Sequence, residues 1–427
     1  MKIFLKGSLL FVIFSVLLFE SCARDQIRYR PEKVVEPVIS ESPLVRVLII
    51  KSTDKVRINS KGLRFSAISG AGRVIKKFKG EGEIYTFRGG RGYIRLIRKG
   101  AVTASAEKFI VSSREGKILV NGNAYRGSLR IDSRGGKEFS VINIIGVDNY
   151  LKGVLPAEIG YLGEEAYEAF RAQAVASRSY ALSKLNKTKE KDHDLKATIM
   201  DQVYRGMGGE TSRANRAVEE TAGLAAVWNG KPIKAYYSSC CGGHTADIRF
   251  AWPWKEDFPY LYGVRDGRSN ESERSFCRQS SHFRWRVSWR GDKLERILSR
   301  TLEKEVDRKI IPFRKIVDLR TGGFAPDGRI KYIDIITDRD RYRIYGDRIR
   351  WVLRPESPSG AILKSTLFKL NVSKERGRVV LAEILGGGNG HGVGMCQTGA
   401  IKMAKLGYSA EEIISHYYPG VEVEKIY

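Results

Sequence analysis

The chain has 427 residues, with 75 Lys and Arg against 48 Asp and Glu, a net charge of +27. That length exceeds the usual single domain and is ample for a buried core. The charge marks a surface that attracts polyanions, and the five cysteines are too few for a disulfide-built scaffold.

Lys2 and Lys6 precede an apolar run from Ser8 to Phe19, followed by Ser21, Cys22 and a polar stretch. A basic start, a short apolar core and a small residue before the cut form a secretory signal, here residues 1–21. The run is too short for a comfortable membrane span. Cys22 stands where a bacterial lipoprotein signal places its acylated cysteine, although Phe19 and Glu20 are unusual just upstream. Ordinary cleavage and an uncleaved anchor are the alternatives. Export directs the positive charge towards an anionic envelope polymer and away from nucleic acid. Membrane attachment through a lipid on Cys22 would make the protein an envelope lipoprotein.

Residues 22–43 interleave Pro31, Pro37 and Pro43 with charged side chains, as a polar tether does. From Val45 the pattern becomes short β-like runs punctuated by Gly and Asn, such as Val45–Ile50, Ile84–Phe87 and Lys117–Val120. Residues 44–135 are therefore expected to form a β-rich N-terminal region. A strand is expected over Phe139–Ile145. An Ala-rich helix is expected over Glu164–Leu185, acidic at its start and basic near its end. A second helix should cover Arg213–Gly223. Asn229-Gly230 predicts a hairpin between Ala226–Trp228 and Pro232–Tyr237. Residues 283–370 hold further β-like runs. The chain ends in a Gly-rich turn, a helix from about Cys396 to Leu406, and a last helix near Ala410–Tyr417. The expected fold class is α+β: a β-rich N-terminal region, then a mixed α/β domain over 136–427 with a β-rich insertion.

Four segments carry a family pattern. They are Tyr150–Ile159 (YLKGVLPAEI), Arg171–Ala181 (RAQAVASRSYA), Ala235–Thr245 (AYYSSCCGGHT) and Gly388–Ala400 (GNGHGVGMCQTGA), the last followed by His416-Tyr417-Tyr418-Pro419-Gly420. In this order and spacing they resemble the stage II sporulation protein D and amidase-enhancer (LytB) family over about 140–427. Residues 44–135 match it only loosely. The resemblance implies a peptidoglycan glycan substrate. It also implies one of two roles: cleaving glycan strands as a lytic transglycosylase, or assisting a separate cell-wall amidase.

Glu158 matches the acidic residue proposed as the family's acid/base. A lytic transglycosylase needs one such carboxyl, which protonates the leaving oxygen and then takes the proton of the sugar's own C6 hydroxyl. Ordinary glycosidases use two. A position just before a helix N-terminus would lower the carboxyl's pKa, whereas the apolar neighbours Leu155, Pro156, Ala157 and Ile159 would raise it. The plainer reading is a helix-entry Glu without chemistry.

Gln173, Arg178 and Tyr180, with Gln202 and Tyr204, are candidates to line a saccharide groove; helix packing is the alternative. His391 is a candidate to bond sugar or orient Glu158, and Gln397 shares its segment. The glycines around His391 would let backbone approach a ligand closely. Cys241-x2-His244 and Cys277-x4-His282 have the spacing of a structural zinc site of two thiolates and two imidazoles. A Cys241–Cys277 disulfide and free thiols are the alternatives, with Cys240 as a spare thiol. Cys396 stands where family members often carry Ser and receives no role. A zinc amidase built on the Cys/His set is disfavoured, because four protein ligands leave no open position.

Overall fold

A computed structural model describes residues 42–80, 82–185, 192–268, 275–356 and 361–427. The signal segment, Cys22 and nearly all of the expected tether lie outside the described residues.

The first lobe is a pair of facing antiparallel sheets. One runs in the order Leu44–Thr53, Phe139–Gly146, Ser128–Ser133, Lys108–Ser113, Leu63–Ile68 and Val74–Lys79. The other runs Asn123–Arg126, Lys117–Val120, Lys55–Asn59, Tyr85–Gly89, Ile94–Arg98 and Ala101–Ala106. Alternate residues point inward, as a half-buried strand requires: Val56 and Ile58, Leu63 and Phe65, Tyr85 and Phe87, Phe109 and Val111 are buried. Phe87 meets Phe109 edge-on at 5.2 Å. The strand Phe139–Gly146 belongs to this lobe, so the β-rich region runs on past residue 135 to Gly146. Its first sheet gains a parallel partner in Leu195–Lys196, from the second lobe.

Helices build the second lobe. Helix α1 is Val147–Ile159 and α2 is Tyr167–Lys184. The expected helix at Glu164 opens instead as a 3-10 turn, Glu164–Ala166, before α2 begins. Helix α3, Ser212–Glu220, is capped by the Thr211 side chain, which accepts from Ala214 N–H. One turn, α4, covers Ile248–Ala251. The hairpin at Asn229-Gly230 forms, with both residues at positive φ. Its second strand stops at Pro232, so the chain turns and Tyr237–Ser238 pairs in parallel with Met395–Cys396.

Residues 285–386 form an insertion with a core of its own. It holds the sheets Trp285–Arg290/Arg378–Gly386/Phe368–Glu375 and Ile316–Phe324/Ile330–Thr337/Arg341–Tyr345. It also holds α5 (Gly291–Glu305) and the short α6 (Arg348–Val352). Helix α5 was not expected. Its Leu294, Leu298 and Leu302, spaced four apart, are buried in the same core as Ile333, Ile335 and Ile384. The chain returns to the helical lobe with α7 (Gln397–Lys405) and α8 (Ala410–Tyr417), the latter closed by a Ser409/Glu412 capping box. A last strand, Glu422–Lys425, pairs with Leu224–Trp228.

Helix α1 decides where Glu158 sits. Gly153 and Pro156 inside it obscure it in sequence. Buried Tyr150, Leu151, Val154 and Leu155 nonetheless form one apolar face. Gly153 is required by packing: a Cβ there would stand 2.6 Å from Gly206 O and 2.7 Å from the Tyr204 ring. Glu158 therefore lies in the last turn of a helix, and the expectation that it precedes a helix N-terminus is corrected.

Candidate active site

At the C-terminal end of α1 the helix dipole presents its negative pole, which disfavours a charged carboxylate. Burial does the same, and it pushes the Glu158 carboxyl up to about 7; a hydrogen bond from Val203 N–H opposes the shift. The residue as a whole is only part-buried, so the carboxyl is shielded yet close to the surface.

Neutral amides and hydroxyls form a network that reaches the end of α1. Gln397, the first residue of α7, donates from Nε2 to Glu158 O (3.1 Å) and to Gln173 Oε1 (3.3 Å). Gln173 donates onward to Ser177 Oγ at 3.0 Å. Gln202, next to Val203, accepts from Tyr150 OH at 3.1 Å and donates to Tyr237 OH at 3.0 Å. Each of the four sequence segments thus sends a side chain into one network, through Tyr150, Gln173, Tyr237 and Gln397, and Gln202 joins from a fifth; Glu158 meets it through its backbone carbonyl. The structure therefore brings Glu158, Gln173, Gln202 and Gln397 together. Sequence reasoning missed Tyr237 and Ser177, although both lie inside quoted segments.

Other expected site residues are placed differently. Arg178 is fully buried in α2. It donates to Asp148 (2.8 Å), Leu224 O (3.0 Å) and Val218 O (3.2 Å), so its guanidinium fastens α2 to α1 and α3 instead of lining a groove. Tyr180 is buried and donates to Asp201 Oδ1 at 2.8 Å. Tyr204 is buried and donates to Asn143 Oδ1 at 3.0 Å, joining the helical lobe to the first sheet.

His391 packs against Trp252 and Tyr236, with ring centroids 4.7 and 6.2 Å apart. Burial pushes its pKa down to about 3, and its Nδ1 accepts from Val393 N–H. It is a neutral packing group, and no hydrogen bond to Glu158 is found for it among the described residues. The glycines beside it serve internal packing: a Cβ on Gly394 would lie 2.0 Å from Tyr236 O, and one on Gly390 2.6 Å from Ser238 Cβ.

The cysteines gather, but not with the expected histidines. Cys241 and Cys277 come together with Cys396 and Asp266. Two glycines at positive φ, Gly242 and Gly243, turn the chain between Cys241 and His244. The His244 ring then meets Thr245 O at 2.8 Å, while His282 Nδ1 is buried without a hydrogen-bond partner. No local spacing announces Asp266 or Cys396, because Cys396 lies 155 residues from Cys241.

Comparison with known proteins places the chain among relatives. A family model described as stage II sporulation protein matches residues 135–228, and a domain of unknown function matches 269–394. An uncharacterized protein of Brachyspira hyodysenteriae is 30% identical over 315 residues, covering 74% of this chain and 76% of that protein. The amidase enhancer of Bacillus subtilis is 29% identical over 295 residues; these cover 63% of this chain but 39% of that protein. Stage II sporulation protein D of Bacillus amyloliquefaciens is 25% identical over 303 residues, 66% of this chain and 75% of the relative. The sporulation-protein match spans α1, α2 and α3, the helices that carry Glu158 and Gln173, and the chain belongs to the stage II sporulation protein D and amidase-enhancer family.

Proposed function

We propose that this protein acts on cell-wall peptidoglycan and cleaves its glycan strands as a lytic transglycosylase, with Glu158 as the single general acid and base. The observation that carries this reading is the Glu158 carboxyl, raised to about 7 by burial and held by the Val203 N–H. A group with that pKa is partly protonated near neutral pH. It can donate to the glycosidic oxygen and then accept the C6 hydroxyl proton as the 1,6-anhydro ring closes. The nearby Asp201 is already engaged by Tyr180 and Lys184, which leaves Glu158 as the carboxyl suited to proton transfer. Tyr161, three residues beyond Glu158 and 80% exposed, offers a ring face on which a sugar can stack. The positive charge of the chain favours an anionic polymer. In the same reading the protein is exported and held at the membrane by a lipid on Cys22.

The relative named amidase enhancer supports a second role, in which the protein binds glycan and assists a wall amidase. Mass spectrometry of glycan strands, with and without stem peptides, separates the two. Wild-type protein should generate 1,6-anhydromuramic ends, and Glu158→Gln should lower their rate by about 10²- to 10⁴-fold. Glycan binding without new ends would sink the enzyme reading and favour the assisting role.

A further inference from the structure

Three thiols and a carboxylate meet in the interior of the helical lobe. Cys241 comes from the loop after Tyr237–Ser238, Asp266 from the loop before residue 268, Cys277 from the 3-10 turn Phe276–Gln279, and Cys396 from the N-cap of α7. All four residues are fully buried. Their ligand atoms all lie within 4.8 Å of one another, and Cys241 Sγ stands 3.7 Å from Cys277 Sγ. We propose that these four residues hold one structural Zn²⁺ ion.

The distances select the occupant. Tetrahedral zinc with sulfur at about 2.3 Å sets two thiolates about 3.8 Å apart, as Cys241 and Cys277 are. A polynuclear iron–sulfur cluster would spread its ligands beyond the 4.8 Å limit. A disulfide needs its sulfurs about 2.05 Å apart. Closing one between Cys241 and Cys277 would bring their sulfurs well inside the 3.7 Å at which they stand and would leave Cys396 and Asp266 without a role in the cluster. The buried Asp266 carboxylate is costly unless a cation neutralises it, and the three thiols beside it are soft donors for such an ion.

The surroundings are those of a ligand set. Gly243 N–H donates to Cys241 Sγ at 3.4 Å, and Cys241 N–H donates to Cys396 Sγ at 3.2 Å. Asp266 is oriented by Tyr417 OH at 2.6 Å and by Cys277 N–H at 2.9 Å. Such outer contacts fix ligand orientation. Gly399 makes room for the carboxylate, since a Cβ there would stand 2.2 Å from Asp266 Oδ1. Four protein ligands leave no position for water, so the ion is a staple and not a hydrolytic centre. It clamps the Tyr237–Ser238/Met395–Cys396 pair one residue before Gln397, which holds both Glu158 and Gln173.

Elemental analysis of the full chain, purified reduced and without chelator, tests this. It should contain about one zinc per chain, and Cys396→Ser and Asp266→Ala should lose most of it. Cys240→Ser, which alters the thiol beside the set, should keep it. Cobalt exchanged into the wild type should show the strong visible bands of a tetrahedral site and thiolate charge-transfer absorption. Wild-type protein that is metal-free with Cys240, Cys241, Cys277 and Cys396 all free thiols, that carries iron instead, or that has a Cys241–Cys277 disulfide would overturn the proposal. The wild-type metal content decides the matter even if a ligand variant fails to fold. It is read without any glycan assay, so it stands apart from the fate of Glu158.

Discussion

The β lobe and the helical lobe bury different things. Between Leu44 and Gly146 the buried polar side chains are Ser60, Ser140 and Asn143, and the rest of the core is aliphatic and aromatic. The helical lobe buries Gln173, Ser177, Arg178, Ser179, Gln202, Thr221, Asp266 and Gln397 among its apolar residues, together with four cysteines. Buried polar groups cost stability unless each finds a partner, so a lobe that keeps many of them is under a demand beyond folding. In the helical lobe the demand is a shielded carboxyl and the amides that hold its helix end. The β lobe meets the helical lobe through polar contacts such as Asn143 with Tyr204 and Arg126 with Glu210.

Arg178→Met should sharpen this contrast most. It takes from Asp148 its ion-pair partner, leaving the Tyr427 hydroxyl, and frees the carbonyls of Val218 and Leu224; removing one member of a buried pair costs about 3–5 kcal/mol. Denaturant unfolding should show that loss. If stability were unchanged while glycan cleavage fell, Arg178 would be a groove residue after all. Phe87→Ala in the β lobe should cost a similar amount, about 3–5 kcal/mol, for a different reason: it empties a site packed against Phe65 and Phe109. Cleavage per folded molecule should not change; a drop would mean that the β lobe takes part in the chemistry.

The Glu158 carboxyl gives the next effect, in pH. Its folded pKa of about 7 is raised from 4.5, so the folded protein holds a proton that the unfolded chain releases. The resulting stability is fully present below pH 4.5 and is lost as pH rises to 7, by at most about 3 kcal/mol. Glu158→Gln should remove that slope from thermal unfolding curves. Cleavage by the wild type should fall about tenfold per pH unit above 7, as the acid form is depleted. A flat profile between pH 6 and 9 would remove Glu158 from the role of acid.

Much of this was legible in the sequence, and the failures have physical causes. The β-like runs from Val45 and the Asn229-Gly230 turn declare themselves locally, by alternation and by positive-φ chemistry. The last two helices do so through Gly407 and the Ser409/Glu412 box. Helix α1 was hidden because tertiary packing supports Gly153 and Pro156 against their propensities. Missing it reversed the sign of the dipole at Glu158. The cysteine set was half-read: sequence proximity suggested His244 and His282, whereas three-dimensional proximity supplies Asp266 and Cys396. For Arg178 and Tyr204 the sequence left groove lining and helix packing both open, and burial decides for packing.

Tyr204 offers the finest test of the boundary between the lobes. Its hydroxyl donates to Asn143 Oδ1, while Asn143 Nδ2 donates to Arg126 O and Ser128 O inside the first sheet. Tyr204→Phe keeps the ring, which packs 4.9 Å from Tyr150, and deletes only the donor. A buried amide oxygen is then left without a partner, at a cost of about 1–3 kcal/mol. Tyr150 still reaches Gln202, so the network around Glu158 should survive and cleavage by the folded fraction should stay near wild type. A small loss of stability with activity retained makes Tyr204 a pin between scaffold and site. Full stability with cleavage abolished would instead place its hydroxyl on the substrate, and the division into a scaffold lobe and a chemical lobe would have to be redrawn at Asn143.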